Sequence, residues 1–222
     1  MRIYIVEACD LENIGIVRAT APPELLKVIG DEIEKIQSDF SKAIPKNKTL
    51  AGNILHEYEL HDCRPILEKF TREMAMCHQE RYGANYNVGM NTHVTLPDGK
   101  KVDLLLHSAW VNFQQKGEFN PIHNHTGLYS FVLWYRVPYY ANIEEASSPG
   151  RKANSNRAGK FEFNYTNVLG NVTGVMIDVD KKYEGEMVLF PSSLNHQVYP
   201  FYSSDKYRIS VSGNLFLGKV DA

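Results

Sequence analysis

Three histidines carry most of the chemistry legible in this sequence. His123 and His125 close the stretch Gly117-Glu-Phe-Asn-Pro-Ile-His123-Asn-His125, and His196 closes Gly185-Glu-Met-Val-Leu-Phe-Pro191-Ser-Ser-Leu-Asn-His196. Side chains alternate along a strand, so a His-x-His pair on one sends both imidazoles to the same face, where two neutral nitrogens reach one metal ion. A transition metal such as Fe(II) accepts imidazole, needs at least one more protein ligand to be held firmly, and needs open positions to do chemistry. His196 is the natural third ligand. Eight histidines in 222 residues would give about 0.3 such pairs by chance, so the pair alone is weak. The order of the parts strengthens it: a Gly-led turn into the pair, a long gap, a second Gly-led strand through Phe190-Pro191 to a lone His, then Arg208-Ile-Ser210.

The segment after His196 has its own pattern. Arg208, Ser210, Ser212 and Asn214 alternate with Ile209, Val211, Gly213 and Leu215, so one face of that strand is a polar line. Turned to solvent, it would be an ordinary wet face. Turned inward, Arg208 is a buried charge that demands an anion, and a carboxylate fits its fork best. Trp110, Asn112 and Gln114 likewise share one strand face. Tyr129 and Phe131 keep the parity of the His pair if that strand is unbroken, which makes them pocket lining or plain core.

These side chains need a frame. Residues 2–6 read as a short strand. From Thr20, an N-cap candidate, Pro22 and Pro23 open a helix with Leu25, Leu26, Ile29, Ile33, Ile36 and Phe40 at helical spacing. A second helix starts at Asp62, with Pro65 in its first turn and Ile66, Leu67, Phe70, Met74 and Cys77 on one side, and stops by Gly83. Then the pattern changes. His93-Val-Thr-Leu, Pro97-Asp-Gly-Lys and Val102-Asp-Leu-Leu-Leu read as a hairpin, and strands follow at 104–114, 128–137, 161–168, 173–179, 185–190, 196–201 and 207–216. Many short strands with little helix between them predict a barrel or a two-sheet jelly roll. The polar, Gly/Pro-punctuated stretch 142–160 reads as a mobile insertion, either a solvated loop or a lid.

The expected organisation is one domain over 1–222, with 1–83 an N-terminal strand and bracing helices and 84–222 the β core. Hydrophobic content of 43% and charged content of 23% are ordinary for a globular chain, and a net charge of −2 gives no basic field to draw in nucleic acid or an anionic membrane. No apolar run is long enough to span a bilayer, the start lacks a signal peptide's apolar core, and the scattered Cys9, Cys63 and Cys77 suit reduced thiols. A cytoplasmic protein is expected.

His123-x-His125, Phe190-Pro191-Ser-Ser-Leu-Asn-His196, Val198-x-Pro200 and Arg208-x-Ser210-x-Ser212-x-Asn214 together resemble a family of Fe(II)/2-oxoglutarate-dependent oxygenases found in marine bacteria and their tailed phages. The similarity covers roughly residues 104–217. It implies a double-stranded β-helix, a cupin-like jelly roll with metal ligands at its mouth, and a host-cytoplasm setting if the chain is phage-encoded. It implies Fe(II) and the cosubstrate 2-oxoglutarate, with Arg208 pairing the cosubstrate's far carboxylate, Ser210 adding a hydrogen bond and Asn112 a further contact; Tyr129, by its parity with the His pair, is a candidate cosubstrate contact as well. Phe131 departs from the family, which tends to have Gly there.

The spacing is also similar to that of the cupins, but the Glu that follows the cupin His pair is missing and Ser193 stands where cupins favour Gly. Most 2-oxoglutarate oxygenases carry Asp or Glu at the place of His125. Three ligand sets therefore stay open: His123, His125 and His196; His123 and His196 with a carboxylate such as Glu118; or His125-Thr126-Gly127 as the His-x-Gly of the Fe(II) halogenases, with a vacant coordination place. The similar family carries His-x-His here, which favours three histidines. The implied reaction is O2-dependent hydroxylation of a substrate C–H, with release of succinate and CO2. The rivals are a cupin-type dioxygenase without 2-oxoglutarate and a non-catalytic jelly-roll binding module. The substrate, whether small molecule, peptide or nucleic acid, is not legible, and a homodimer through the N-terminal helices is one option.

Overall fold

A computed structural model describes residues 15–83 and 101–220. The expected strand at 2–6 and the first arm of the hairpin at 93–96 lie outside them. Strand β1 (Val17–Thr20) leads into helix α1 (Pro23–Ser38), and β2 (His56–Glu59) into α2 (Arg64–Tyr82). Then come β3 (Lys101–Gln114), β4 (Asn120–His123), β5 (Tyr129–Arg136), helix α3 (Ala141–Ser147), β6 (Phe161–Thr166), β7 (Val172–Ile177), β8 (Glu186–Pro191), β9 (Asn195–Val198) and β10 (Arg208–Val220).

The strands form two antiparallel sheets, a larger one ordered β1-β8-β5-β10-β3-β2 and a smaller one ordered β4-β9-β6-β7. This is the expected mainly-β jelly roll. Residues 15–83 supply both edge strands of the larger sheet, so they are part of its frame as well as its bracing.

Helix α1 buries the predicted apolar stripe of Leu25, Ile29, Ile33 and Ile36. Its N-cap is Pro22 rather than Thr20, because Thr20 is the last residue of β1, where its hydroxyl donates to Glu186 Oε1 at 2.6 Å. Helix α2 packs on β1, β3 and β8. Its first backbone N–H groups would be orphaned, since the N-cap Cys63 offers no side-chain acceptor. Glu32, buried on α1, holds the N-cap and the turn before it: its carboxylate accepts from the N–H groups of His61, Asp62 and Cys63 at 2.6, 3.0 and 2.9 Å.

The period-two pattern sorts the long strands. On β3 and β10, Ala109, Val111, Phe113, Ile209, Val211 and Leu215 face the helices and join one apolar core. Trp110, Asn112, Gln114, Ser210 and Ser212 face the smaller sheet and line a cavity between the sheets. The polar line therefore points inward. A second core of Val132, Trp134, Phe161, Phe163, Val188, Phe190 and Phe201 fills the rest of that layer.

The stretch 142–160 is not wholly loop, because it opens on α3. Buried Glu144 of α3 accepts from the backbone of Tyr202 and Ser203 at 2.7 and 2.9 Å, and the Gly159 carbonyl accepts from Tyr139 Oη at 2.9 Å. No helix among the described residues is long and apolar enough to cross a membrane.

Candidate metal centre

Strands β4 and β9 pair antiparallel with His123 directly opposite His196. Side chains of opposed residues stand on the same face, which brings the two rings to 4.3 Å between centroids. His125 joins them by a different route from the one its spacing suggested. Strand β4 ends at His123, and His125 is held in the following loop by its N–H, which donates to the Ser192 carbonyl at 2.9 Å. Its ring lies 5.0 Å from His123 and 5.1 Å from His196. Each of the three offers a ligand atom within 4.8 Å of the others, near enough for small rotations to place all three on one ion.

The rings are prepared for that role. The Nδ1 of His123 lies 2.7 Å from the Pro121 carbonyl, and the Nδ1 of His196 lies 3.0 Å from the Leu194 carbonyl. A carbonyl only accepts, so each Nδ1 carries its proton and each Nε2 keeps a lone pair for a metal. His196 is buried and stacks on Phe161 at 5.6 Å, with Phe190 at 4.9 Å, while Trp110 lies 5.7 Å from His125. Burial in this aromatic nest, then the charge of His123, pulls His196 down to about 3 and His125 down to about 4; burial also lowers His123. The triad is thus neutral at physiological pH, the protonation state metal binding requires.

The neighbourhood narrows the ligand sets. Glu118 is engaged elsewhere: its two carboxylate oxygens accept from the N–H groups of Leu55 at 3.0 Å and Gln115 at 2.7 Å. In the His-x-Gly reading His125 is a ligand and Gly127 marks the vacant place; here His123 stands within reach of both other rings to take that place. A chain of hydroxyls missed in the sequence supports His125. Ser192, whose carbonyl holds His125, lies 2.9 Å from Ser130 Oγ, which donates to Asn214 Oδ1 at 2.8 Å. The only signal for this support was the place of Asn214 on the polar line.

Asn112 and Ser210 lie side by side in register and line the cavity, with Asn112 Nδ2 donating to Ser210 Oγ at 3.3 Å. Arg208 is buried one row further along the same face. Its Nε and Nη2 both donate to Gln114 Oε1 (3.0 and 2.6 Å), Nη1 donates to Tyr139 Oη and the Gly159 carbonyl (2.5 and 2.7 Å), and Nη2 also donates to the Tyr199 carbonyl at 2.9 Å. Every acceptor is neutral. Tyr129 is placed away from the cavity: the strand's parity turns it toward the helices, where its hydroxyl lies 3.2 Å from His78 Nδ1. Phe131 does reach the cavity lining.

Residues 108–214 match the family described as Putative 2OG-Fe(II) oxygenase. No curated protein matches the chain. Among solved structures, a prolyl-4-hydroxylase of Pseudomonas putida is similar at 14% identity and a TM-score of 0.53, over 91% of this chain and 92% of that one. A prolyl hydroxylase from Trichoplax adhaerens, solved with a peptide fragment of hypoxia inducible factor, is similar at 12% identity and a TM-score of 0.50, over 91% and 83%. AviO1 of Streptomyces viridochromogenes is similar at 11% identity and a TM-score of 0.50, over 91% and 90%. At these identities the likeness is one of fold.

Proposed function

We propose that this chain, whose residues 108–214 match the 2OG-Fe(II) oxygenase family, hydroxylates its substrate at a centre held by His123, His125 and His196. The observation that carries the assignment is the convergence of three neutral imidazoles, two of them with Nδ1 tied to a backbone carbonyl so that Nε2 is left for iron. The donor set suits Fe(II), which imidazole binds well, and three protein ligands leave places for cosubstrate and O2. Bound there, Fe(II) with 2-oxoglutarate supplies O2 activation, with oxidative decarboxylation to succinate and CO2 driving substrate oxidation.

The protein's share is placement. Arg208 is the residue we assign to the cosubstrate's far carboxylate, supported by its burial with no carboxylate of the described residues within hydrogen-bonding distance. A buried charge without a counter-ion is costly. Gln114 Oε1 now accepts from Nε and Nη2 together, the edge of the fork that a carboxylate takes. Asn112 and Ser210, one row along the same strand face and lining the cavity, would flank the cosubstrate. The aromatic packing around His196 keeps water from the reacting atoms.

The test is succinate formation from 2-oxoglutarate by the Fe(II)-loaded protein under O2. Turnover that requires both iron and O2, and that is lost in His123→Ala, is expected. Oxygen consumption without succinate would instead support a cupin-type dioxygenase that does not use 2-oxoglutarate.

A further inference from the structure

The cavity wall next to the residues assigned to the cosubstrate has its own chemistry. Glu57 on β2 pairs in register with Asn112 on β3, which pairs with Ser210 on β10, so the three form one polar row across the larger sheet. Glu57 is fully buried and lines the same cavity as the triad. Its Oε2 accepts from Asn47 Nδ2 at 3.3 Å, but Oε1 has no partner among the described residues. Asn112 Oδ1 and Asn120 Oδ1, both facing the cavity and both buried, have none either.

Two of these oxygens lie close together. A Cβ on Gly52 would lie 2.7 Å from Glu57 Oε1 and 3.0 Å from Asn120 Oδ1, so both pack against the Gly52 backbone, where any side chain would crowd them. Unpaired buried acceptors are uncommon because each forfeits its hydration without return. Here three are gathered in one cavity, and no Lys or Arg is among its described lining residues. What would satisfy them is a ligand rich in donors and positively charged.

We propose that this wall is a recognition subsite for a protonated primary amine of the substrate, with Glu57 as its counter-ion and Asn120 and Asn112 as flanking acceptors. An alkylammonium has three N–H donors and no acceptor, matching a site made of acceptors alone. The inference rests on the oxygenase reading only in taking the cavity to be the substrate pocket.

The charge balance agrees. Burial, and then the charge of Glu118, push Glu57 up to about 7, so ionising it in the empty cavity is costly. The other titratable groups lining the cavity are the three neutral imidazoles. A bound ammonium favours the carboxylate, so amine binding below pH 7 releases a proton and tightens as pH rises from 6 to 8.

Calorimetric titration of Nα-acetyl-lysine methylamide into the metal-loaded protein tests this, with the 2-aminoheptanoic acid analogue, whose terminal methyl replaces the ammonium, as the uncharged isostere. The amine should bind at least about 10-fold more tightly than the isostere, the size of one charge-assisted hydrogen bond. Glu57→Gln, which keeps shape and removes charge, should abolish that preference. Gly52→Ala, at a residue whose backbone tolerates a side chain, should weaken amine binding by crowding Glu57 and Asn120. Equal binding of the two probes, as expected if ordered water satisfies the oxygens, would overturn the proposal, and so would a preference that survives Glu57→Gln. Because binding is read without turnover, an amine that binds while no succinate forms would count against the oxygenase reading and leave the subsite standing.

Discussion

The two ends of the cavity are built on opposite rules. At the triad, carbonyls of Pro121 and Leu194 fix two rings, Ser192 fixes the loop of the third, and aromatic rings fill the space around them. Along the rest of the wall Glu57, Asn112 and Asn120 each keep a buried oxygen without a partner among the described residues. The first end is complete as protein and waits for a metal that the neutral nitrogens already suit. The second is incomplete as protein. Preorganisation at the metal and unmet hydrogen bonding at the substrate wall are what a pocket needs if it is to hold its metal permanently and its substrate only in passing.

The sharpest way to break this contrast is to damage the triad. His196→Ala should abolish measurable Fe(II) binding in an equilibrium dialysis assay while leaving amine binding at the Glu57 wall in place. Retained iron would mean that the three rings are not the ligand set. Next in size is Arg208→Ala, which should weaken 2-oxoglutarate binding by about 2–5 kcal/mol, the range for unpairing a buried charged contact, with Fe(II) affinity nearly unchanged. The readout is calorimetry at a temperature where circular dichroism shows the variant folded. Unchanged cosubstrate binding would leave Arg208 only the role of tying Gly159 and Tyr199 to β10.

The two ends also pull the metal-free protein in opposite directions with pH. Folding lowers His196 and His125 below the ordinary imidazole value, so the unfolded chain binds more protons between about pH 4 and 6.5, and stability falls as pH drops through that window. Folding raises Glu57 from its ordinary 4.5 to about 7, so its contribution is intact below 4.5 and is lost as pH rises through 7. Glu57→Gln should therefore match the native protein at pH 5 and exceed it at pH 8 by up to about 3 kcal/mol in urea unfolding. A difference independent of pH would place Glu57 in contact with a positive group. Smallest is Lys116→Ala, which removes the exposed 3.2 Å pair with Asp205 and should change stability by less than about 1 kcal/mol, with neither end of the cavity affected.

Much of the triad end was legible in the sequence, and little of the other. The seven strands assigned along 104–216 all form, because each carries a β-rich run between turn residues, and the alternation around Arg208 correctly marked a special strand face. Strands β1, β2 and β4 have four residues each, too few to establish a period, and two of them owe their form to long-range pairing with β8 and β3. Missing β2 hid Glu57, since nothing in His56-Glu57-Tyr58-Glu59 says which carboxylate faces inward. His125 reached the cluster for a reason that spacing could not supply, a backbone bond to Ser192. Tyr129 shows the limit of parity: the histidines and β5 belong to different sheets, so counting by twos across Gly127 carries no orientation.

The most direct measurement is anaerobic titration of 2-oxoglutarate into the Fe(II)-loaded protein, watching for the visible charge-transfer band of a keto acid chelated to iron. The account predicts that the band appears and saturates, is lost in His196→Ala, and needs far more 2-oxoglutarate in Arg208→Ala. Iron that binds to the triad while 2-oxoglutarate produces no band would contradict it.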